Sequence, residues 1–149
     1  MKTVVVIDGQ GGGIGSIIIK KLKEGYAELI EIIALGTNAI AVAQMLKARA
    51  NRGASGQNAI VQTVKKMDII TGPIAILAAN AMMGEITPKM AEAIADSPAR
   101  KILIPLSKER ITIVGVQPLP LPRLVETMIV DELHPYLDKI NGVNNVWSQ

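Results

Sequence analysis

Val4-Val5-Val6-Ile7-Asp8-Gly9-Gln10-Gly11-Gly12-Gly13-Ile14-Gly15 is the stretch from which the fold is read. Residues 3–7 form a short, continuously apolar run rich in β-branched side chains, the pattern of a central parallel strand covered on both faces. Beyond the glycines, Ile14, Ile17, Ile18 and Leu22 recur at helical spacing, Lys20, Lys21 and Lys23 fall mainly elsewhere on the wheel, and Gly25 is placed to cap the helix end. Strand, tight loop and helix in that order are the opening of a nucleotide-binding α/β unit. Glycine accepts positive φ and lets backbone approach a ligand with no Cβ in the way. The helix N-terminus adds unpaired N–H groups and a positive dipole end. Phosphate is the expected occupant of the loop formed by Gly9, Gln10, Gly11, Gly12, Gly13, Ile14 and Gly15. A tight turn without ligand is the competing reading.

Outward from this unit the pattern repeats. A second strand is expected over residues 29–35, followed by Gly36-Thr37-Asn38, where Thr37 or Asn38 caps a helix carrying Ile40, Ala43, Leu46 and Ala50. Residues 51–58 read as a loop, 59–61 as a short strand and 67–71 as a firmer one, closed by Gly72-Pro73. Residues 74–83 read as a helix that is apolar nearly all round; Thr87 caps and Pro88 starts another, broken at Ser97-Pro98. Runs at 102–106 and 111–116 complete the sheet, and a proline-rich hinge at 118–122 leads to an amphipathic helix ending near His134-Pro135. Strands alternating with helices predict a three-layer α/β/α Rossmann-like sandwich with a mainly parallel sheet. Residues 1–138 are expected to form one nucleotide-binding domain and 139–149 a polar C-terminal tail.

Composition narrows the functional classes. Of 149 residues 49% are apolar, yet none is Phe, so the core must be built from aliphatic side chains that suit close helix-on-sheet packing. The absence of cysteine excludes disulfides and thiolate metal sites, no credible set of metal ligands is present, and a reducing cytoplasm is the expected location. The apolar run before Asp8 is too short for a signal-peptide core or a membrane span. A net charge of +3 from scattered basic residues without interleaved aromatics argues against nucleic acid as a partner.

The glycine spacing is neither the dinucleotide G-x-G-x-x-G nor a P-loop, since Ile14 and Ser16 stand where the former needs glycine and Ser16-Ile17 where the latter needs Lys-Ser/Thr. Gly9-x-x-x-Gly13-Ile14-Gly15 instead resembles the cofactor loop of short-chain dehydrogenases. Their Tyr-x-x-x-Lys pair is missing, because Tyr136 and Tyr26 are followed four positions later by Ile140 and Ile30. That resemblance implies nucleotide binding and not hydride transfer. Where an NAD-binding unit places a ribose carboxylate, this chain has Leu35-Gly36-Thr37-Asn38, which weakens NAD and makes NADP or another nucleotide the expected cofactor.

The chain as far as about Val116 also resembles an uncharacterised bacterial Rossmann-like family, domain-of-unknown-function family 3842. The resemblance rests on the loop from Val6 to Gly15, Gly36-Thr37-Asn38, Gly53-Ala54-Ser55-Gly56-Gln57-Asn58-Ala59, Gly72-Pro73-Ile74, Gly84-Glu85-Ile86-Thr87 and Lys101-Ile102-Leu103-Ile104-Pro105. Gln57 stands where that family is expected to carry Glu. It implies a fold and no activity.

Gly36, Thr37, Asn38, Gly72 and Pro73 are expected to converge with the glycine loop at the carboxyl ends of neighbouring strands and to help bind the cofactor. Asp8 and Glu85 are the carboxylates expected near it, and the candidates if the protein is a catalyst. Asp8 also reads as an acceptor for loop amides, and Glu85 as a solvated loop side chain. Ser107 and Lys108 lie past a strand end, His134 reads as a helix-terminal residue and Met82-Met83 as filling for core or interface. The leading function is nucleotide or dinucleotide binding. The alternative is a non-catalytic scaffold or regulatory subunit with a structural glycine loop. A homodimer is expected in either case, because residues 74–83 and 124–133 offer more apolar surface than one small sheet needs.

Overall fold

Val4, Val5, Val6 and Ile7 are wholly inaccessible to solvent, and the strand they form, β1 (Lys2–Asp8), lies at the middle of the sheet. In the computed structural model, which describes residues 1–106 and 109–137, five parallel strands follow the order β3-β2-β1-β4-β5. The others are β2 (Ile30–Gly36), β3 (Arg52–Ser55), β4 (Ile69–Pro73) and β5 (Arg100–Ile104). Ser107, Lys108, the expected boundary at 138 and the tail at 139–149 lie outside the described residues.

Alternate residues of β1 feed two cores, because side chains of a strand alternate between faces. Val4 and Val6 pack with Ile18 and Leu22 of α1 (Gly13–Tyr26), Met45 of α2 (Ala39–Lys47) and Val125 of α5 (Leu121–Thr127). Val5 and Ile7 pack with Ile60 of α3 (Gln57–Thr63) and with Met90 and Ile94 of α4 (Pro88–Asp96). The result is the expected sandwich of helices, sheet and helices.

Several local expectations are corrected. Residues 52–55 are a strand and 57–63 a helix, not a loop and a strand. β3 is an edge strand with all four residues exposed, so no apolar signature marks it; its pairing with β2 from Ile33↔Arg52 to Gly36↔Ser55 holds it. On α2 the buried residues are Ala41, Val42 and Met45, while Ile40 and Leu46 are 68% and 42% exposed. The cap at Asn38, whose Oδ1 accepts from Ala41 N at 2.8 Å, sets the helix start and phase. Ala41, Val42 and Met45 then face Gly12, Gly36 and Gly15 respectively. Gly25 stays inside α1, and the chain turns at Ala27 with φ 49°.

Residues 74–83 are not a helix. After one 3₁₀ turn (Ile74–Leu77) the chain folds back through left-handed positions at Asn80, Met82 and Met83, with Asn80 N donating to Ile86 O at 2.7 Å. This buries Ile76, Ala81 and Ile86 without exposing a wholly apolar cylinder. Residues 111–116 form no strand: Ile111, Val114 and Val116 are exposed, and a turn at Gly115 interrupts them. The last helix runs past Pro135 to Leu137, its Met128–Leu133 segment in π-helical register ahead of the proline, which cannot donate an N–H. Leu124, Val125, Met128, Ile129 and Leu133 join the β1 core, so the apolar surplus expected at 124–133 is taken up within the chain, while Leu77 and Met83 of the 74–83 segment stay exposed. Among the described residues no helix is long and apolar enough to cross a membrane.

Candidate functional site

Asp8 ends β1 at 4% exposure, and its carboxylate organises the loop: Oδ1 accepts from Gly9 N and Oδ2 from Gly15 N, both at 2.8 Å. Burial pushes Asp8 above the usual aspartate range; the amides of Gly15, Gly9 and Ile14 pull it back only in part, and the negative charge of Glu85 adds to the rise. Ser16 completes the turn by donating from N and Oγ to Gly12 O, at 2.9 and 2.6 Å.

The glycines divide into two sets. Gly12 has φ 72°, and a Cβ there would lie 2.8 Å from Ala41 O, while one at Gly15 would lie 2.6 Å from Met45 Sδ. These two let the start of α1 pack closely against α2. A Cβ at Gly9 would meet Met82 Sδ at 2.6 Å and Thr37 Oγ1 at 2.7 Å. Gly11 and Gly13, by contrast, have no atom within 4 Å of the Cβ position, and their amides meet no acceptor among the described residues.

The fold-back after β4 brings Glu85 to this loop. Its Oε1 accepts from Thr37 Oγ1 at 2.6 Å, Asn38 Nδ2 at 2.7 Å and Gln10 N at 2.9 Å. Desolvation works to raise Glu85, but these three donors outweigh it and hold the carboxyl below its usual range. Asn38 Nδ2 also donates to Gln10 O at 3.0 Å. The expectation that the end of β2 offers no carboxylate is therefore corrected, since one arrives from 48 residues further along the chain.

A cleft of about 810 Å³ opens on the other side of the loop, where the strand order reverses between β1 and β4. Open α/β sheets bind ligands at such a switch point. One wall is the loop itself from Asp8 to Ile14; the opposite wall is Pro73 and Ala75, with Leu106 beyond β5. Asn80, Met82, Met83 and Glu109 form the rim, and Glu109 Oε1 accepts from Met82 N at 3.0 Å.

Of the residues expected to bind, Gly9, Gln10, Gly11, Gly12, Gly13, Ile14 and Pro73 line this cleft. Gly15, Gly36, Thr37, Asn38 and Gly72 do not. Gly36 faces Asp8 across the β1–β2 ladder, and a Cβ at Gly72 would lie 2.2 Å from Ile7 O, so both serve close backbone approach. His134 Nδ1 lies 2.8 Å from Tyr26 Oη and belongs to the helical layer. Sequence reasoning missed Ala75, Asn80, Leu106 and Glu109. Only Asn80 carries a signal, as asparagine is the side chain that best tolerates its φ of 68°. Met82-Met83, expected as core or interface filling, stand on the rim of the cleft, with Met83 96% exposed.

The chain belongs to the family described as Domain of unknown function (DUF3842), whose match spans residues 3–136. No curated protein matches it. Among solved structures, it is similar to a dodecameric FMN-dependent Ubix-like decarboxylase from Escherichia coli O157:H7, at 15% identity and a TM-score of 0.47, over 99% of this chain and 98% of that one. That likeness is too distant to build on.

Proposed function

We propose that this member of the DUF3842 family binds a nucleotide-type ligand in the cleft between the ends of β1 and β4. The phosphate would sit on the amides of Gly11 and Gly13, and the ring against Pro73, Ala75 and Leu106. The reading is carried by one observation: those two amides stand open at the N-terminus of a 14-residue helix, at the switch point of a parallel sheet. Among the described residues no lysine or arginine lines the cleft; backbone N–H groups and the helix dipole would carry the phosphate charge there. A 2′-phosphate at the end of β2 would meet the Glu85 carboxylate, and NADP is no longer preferred. Asp8 and Glu85 are engaged in building the loop, and we assign them positioning roles.

The alternative, a scaffold with a structural glycine loop, is favoured by a different observation. The chain's own carboxylates already occupy the amides of Gly9, Gln10 and Gly15. Thermal-shift and calorimetric screening with FMN, AMP, ATP, NAD, NADP, FAD and coenzyme A separates the two readings. Saturation with a true ligand at about 100 times its Kd stabilises by roughly 2.7 kcal/mol and raises Tm by several degrees. No response from folded protein would leave the scaffold reading. A homodimer rests on narrower ground than the sequence implied, namely exposed Ile40 and Leu46 beside the edge strand β3. A monomer mass by light scattering would contradict it.

A further inference from the structure

We infer that the site takes a mononucleotide, because the chain itself occupies the path along the end of β2 that the second half of a dinucleotide would follow. This rests on the nucleotide reading above and concerns the size of ligand that the fold admits. A dinucleotide lies across the switch point, its pyrophosphate over the glycine loop and its second ribose at the end of β2. Here that second half of the path is filled by the protein. Met82 Sδ lies 2.6 Å from where a Cβ of Gly9 would stand, so the thioether covers the first glycine of the loop. Beside it, Glu85 Oε1 accepts from the hydroxyl of Thr37, the side-chain amide of Asn38 and the main-chain amide of Gln10, so the polar groups at the end of β2 are bonded to one another.

The fold-back that delivers both residues is tied at several points. Asn80 N donates to Ile86 O, Met82 N to Glu109 Oε1 and Gly84 N to Asn80 O, and the chain takes left-handed conformations at Asn80, Met82 and Met83 to do so. Two consecutive methionines at positive φ are conformations that side chains adopt only when surrounding contacts impose them. The cleft reflects this closure: residues 36–38 contribute nothing to its lining, whereas the segments after β1, β4 and β5 all do. What remains open is a row of amides for one phosphate and an apolar wall for one ring.

Calorimetric titration of the full chain with FAD against FMN and AMP, and with NAD against nicotinamide mononucleotide and AMP, tests this. The expected result is that at least one mononucleotide binds and that neither dinucleotide binds more tightly than the better of its two halves. A dinucleotide binding about tenfold or more tighter than both halves would overturn the inference while leaving nucleotide binding intact. Binding of no nucleotide at all would remove both. Glu85→Ala, which releases the fold-back from Gln10, Thr37 and Asn38, and Met82→Ala, which uncovers Gly9, are expected to raise dinucleotide affinity several-fold relative to mononucleotide affinity. Folded variants that discriminate as the parent does would show that these two side chains do not set the limit.

Discussion

On the β4 side of the glycine loop the amides of Gly11 and Gly13 face an open cleft. On the β2 side the amide of Gln10, the hydroxyl of Thr37 and the side-chain amide of Asn38 converge on one oxygen of Glu85. The two sides share a loop, a central strand and a helix N-terminus, yet one stands open and the other is closed by the chain. A glycine-rich sequence therefore does not specify a phosphate cradle by itself. What decides is which of its amides the protein satisfies internally, and that depends on carboxylates placed anywhere in the chain.

The contrast breaks most severely at Asp8. Asp8→Ala leaves the buried amides of Gly9 and Gly15 without acceptors, and a loss of about 3 kcal/mol in urea denaturation is expected from the desolvation of two N–H groups. A loss below 1 kcal/mol would mean that Asp8 is not what organises the loop. Gly12→Ala comes next. Its Cβ would approach Ala41 O at 2.8 Å with φ at 72°, and a cost of about 2 kcal/mol is expected by the same measurement.

Glu85 and Asp8 have opposite pH signatures, which sharpens the comparison. Glu85 is held below its usual value of 4.5, so the unfolded chain binds its proton more readily. The stability it contributes is present above that value and is lost as pH falls through the depressed folded value. Asp8 is raised above its usual 3.8, so the folded state holds its proton more readily, and its contribution is lost as pH rises through the raised folded value. Denaturation from about pH 3 to pH 7 should show the deficit of Glu85→Gln relative to the parent, about 1 kcal/mol at neutral pH, shrinking in acid. The deficit of Asp8→Asn should instead shrink as pH rises above 3.8. The same direction of change in both variants would contradict this division.

Much of this was legible in the sequence, for identifiable reasons. The apolar run of β1 is buried on both faces and so carries an unmistakable signature, and the capping residues Asn38 and Thr87 act locally. Asp8 was legible as an acceptor because its partners, Gly9 and Gly15, lie in the loop that directly follows it. Edge strand β3 was not, because exposure on both faces removes any period from its sequence. The segment at 74–83 misled because apolar content says nothing about how a chain turns, and its shape is set by ties to Ile86 and Glu109. Glu85 was expected near the ligand; that its carboxylate would stand at the end of β2 depended on a contact 48 residues apart.

The smallest effects on folding are expected where the cleft is open. At Gly11 and Gly13 a Cβ meets nothing within 4 Å, so Gly11→Ala and Gly13→Ala should hold stability within about 0.5 kcal/mol of the parent. Each should weaken mononucleotide binding about tenfold, because the added methyl projects toward the phosphate. Equal affinity in both variants would place the ligand elsewhere.

The central claim is that the loop binds through the two amides its own carboxylates leave open. Titration of ¹⁵N-labelled protein with the tightest-binding mononucleotide, followed by amide chemical shifts, reads those groups individually. The Gly11 and Gly13 signals are expected to move furthest while those of Gly9, Gly15 and Asn38 stay nearly fixed. Shifts concentrated at Gly36, Thr37 and Asn38, with Gly11 and Gly13 unmoved, would contradict it.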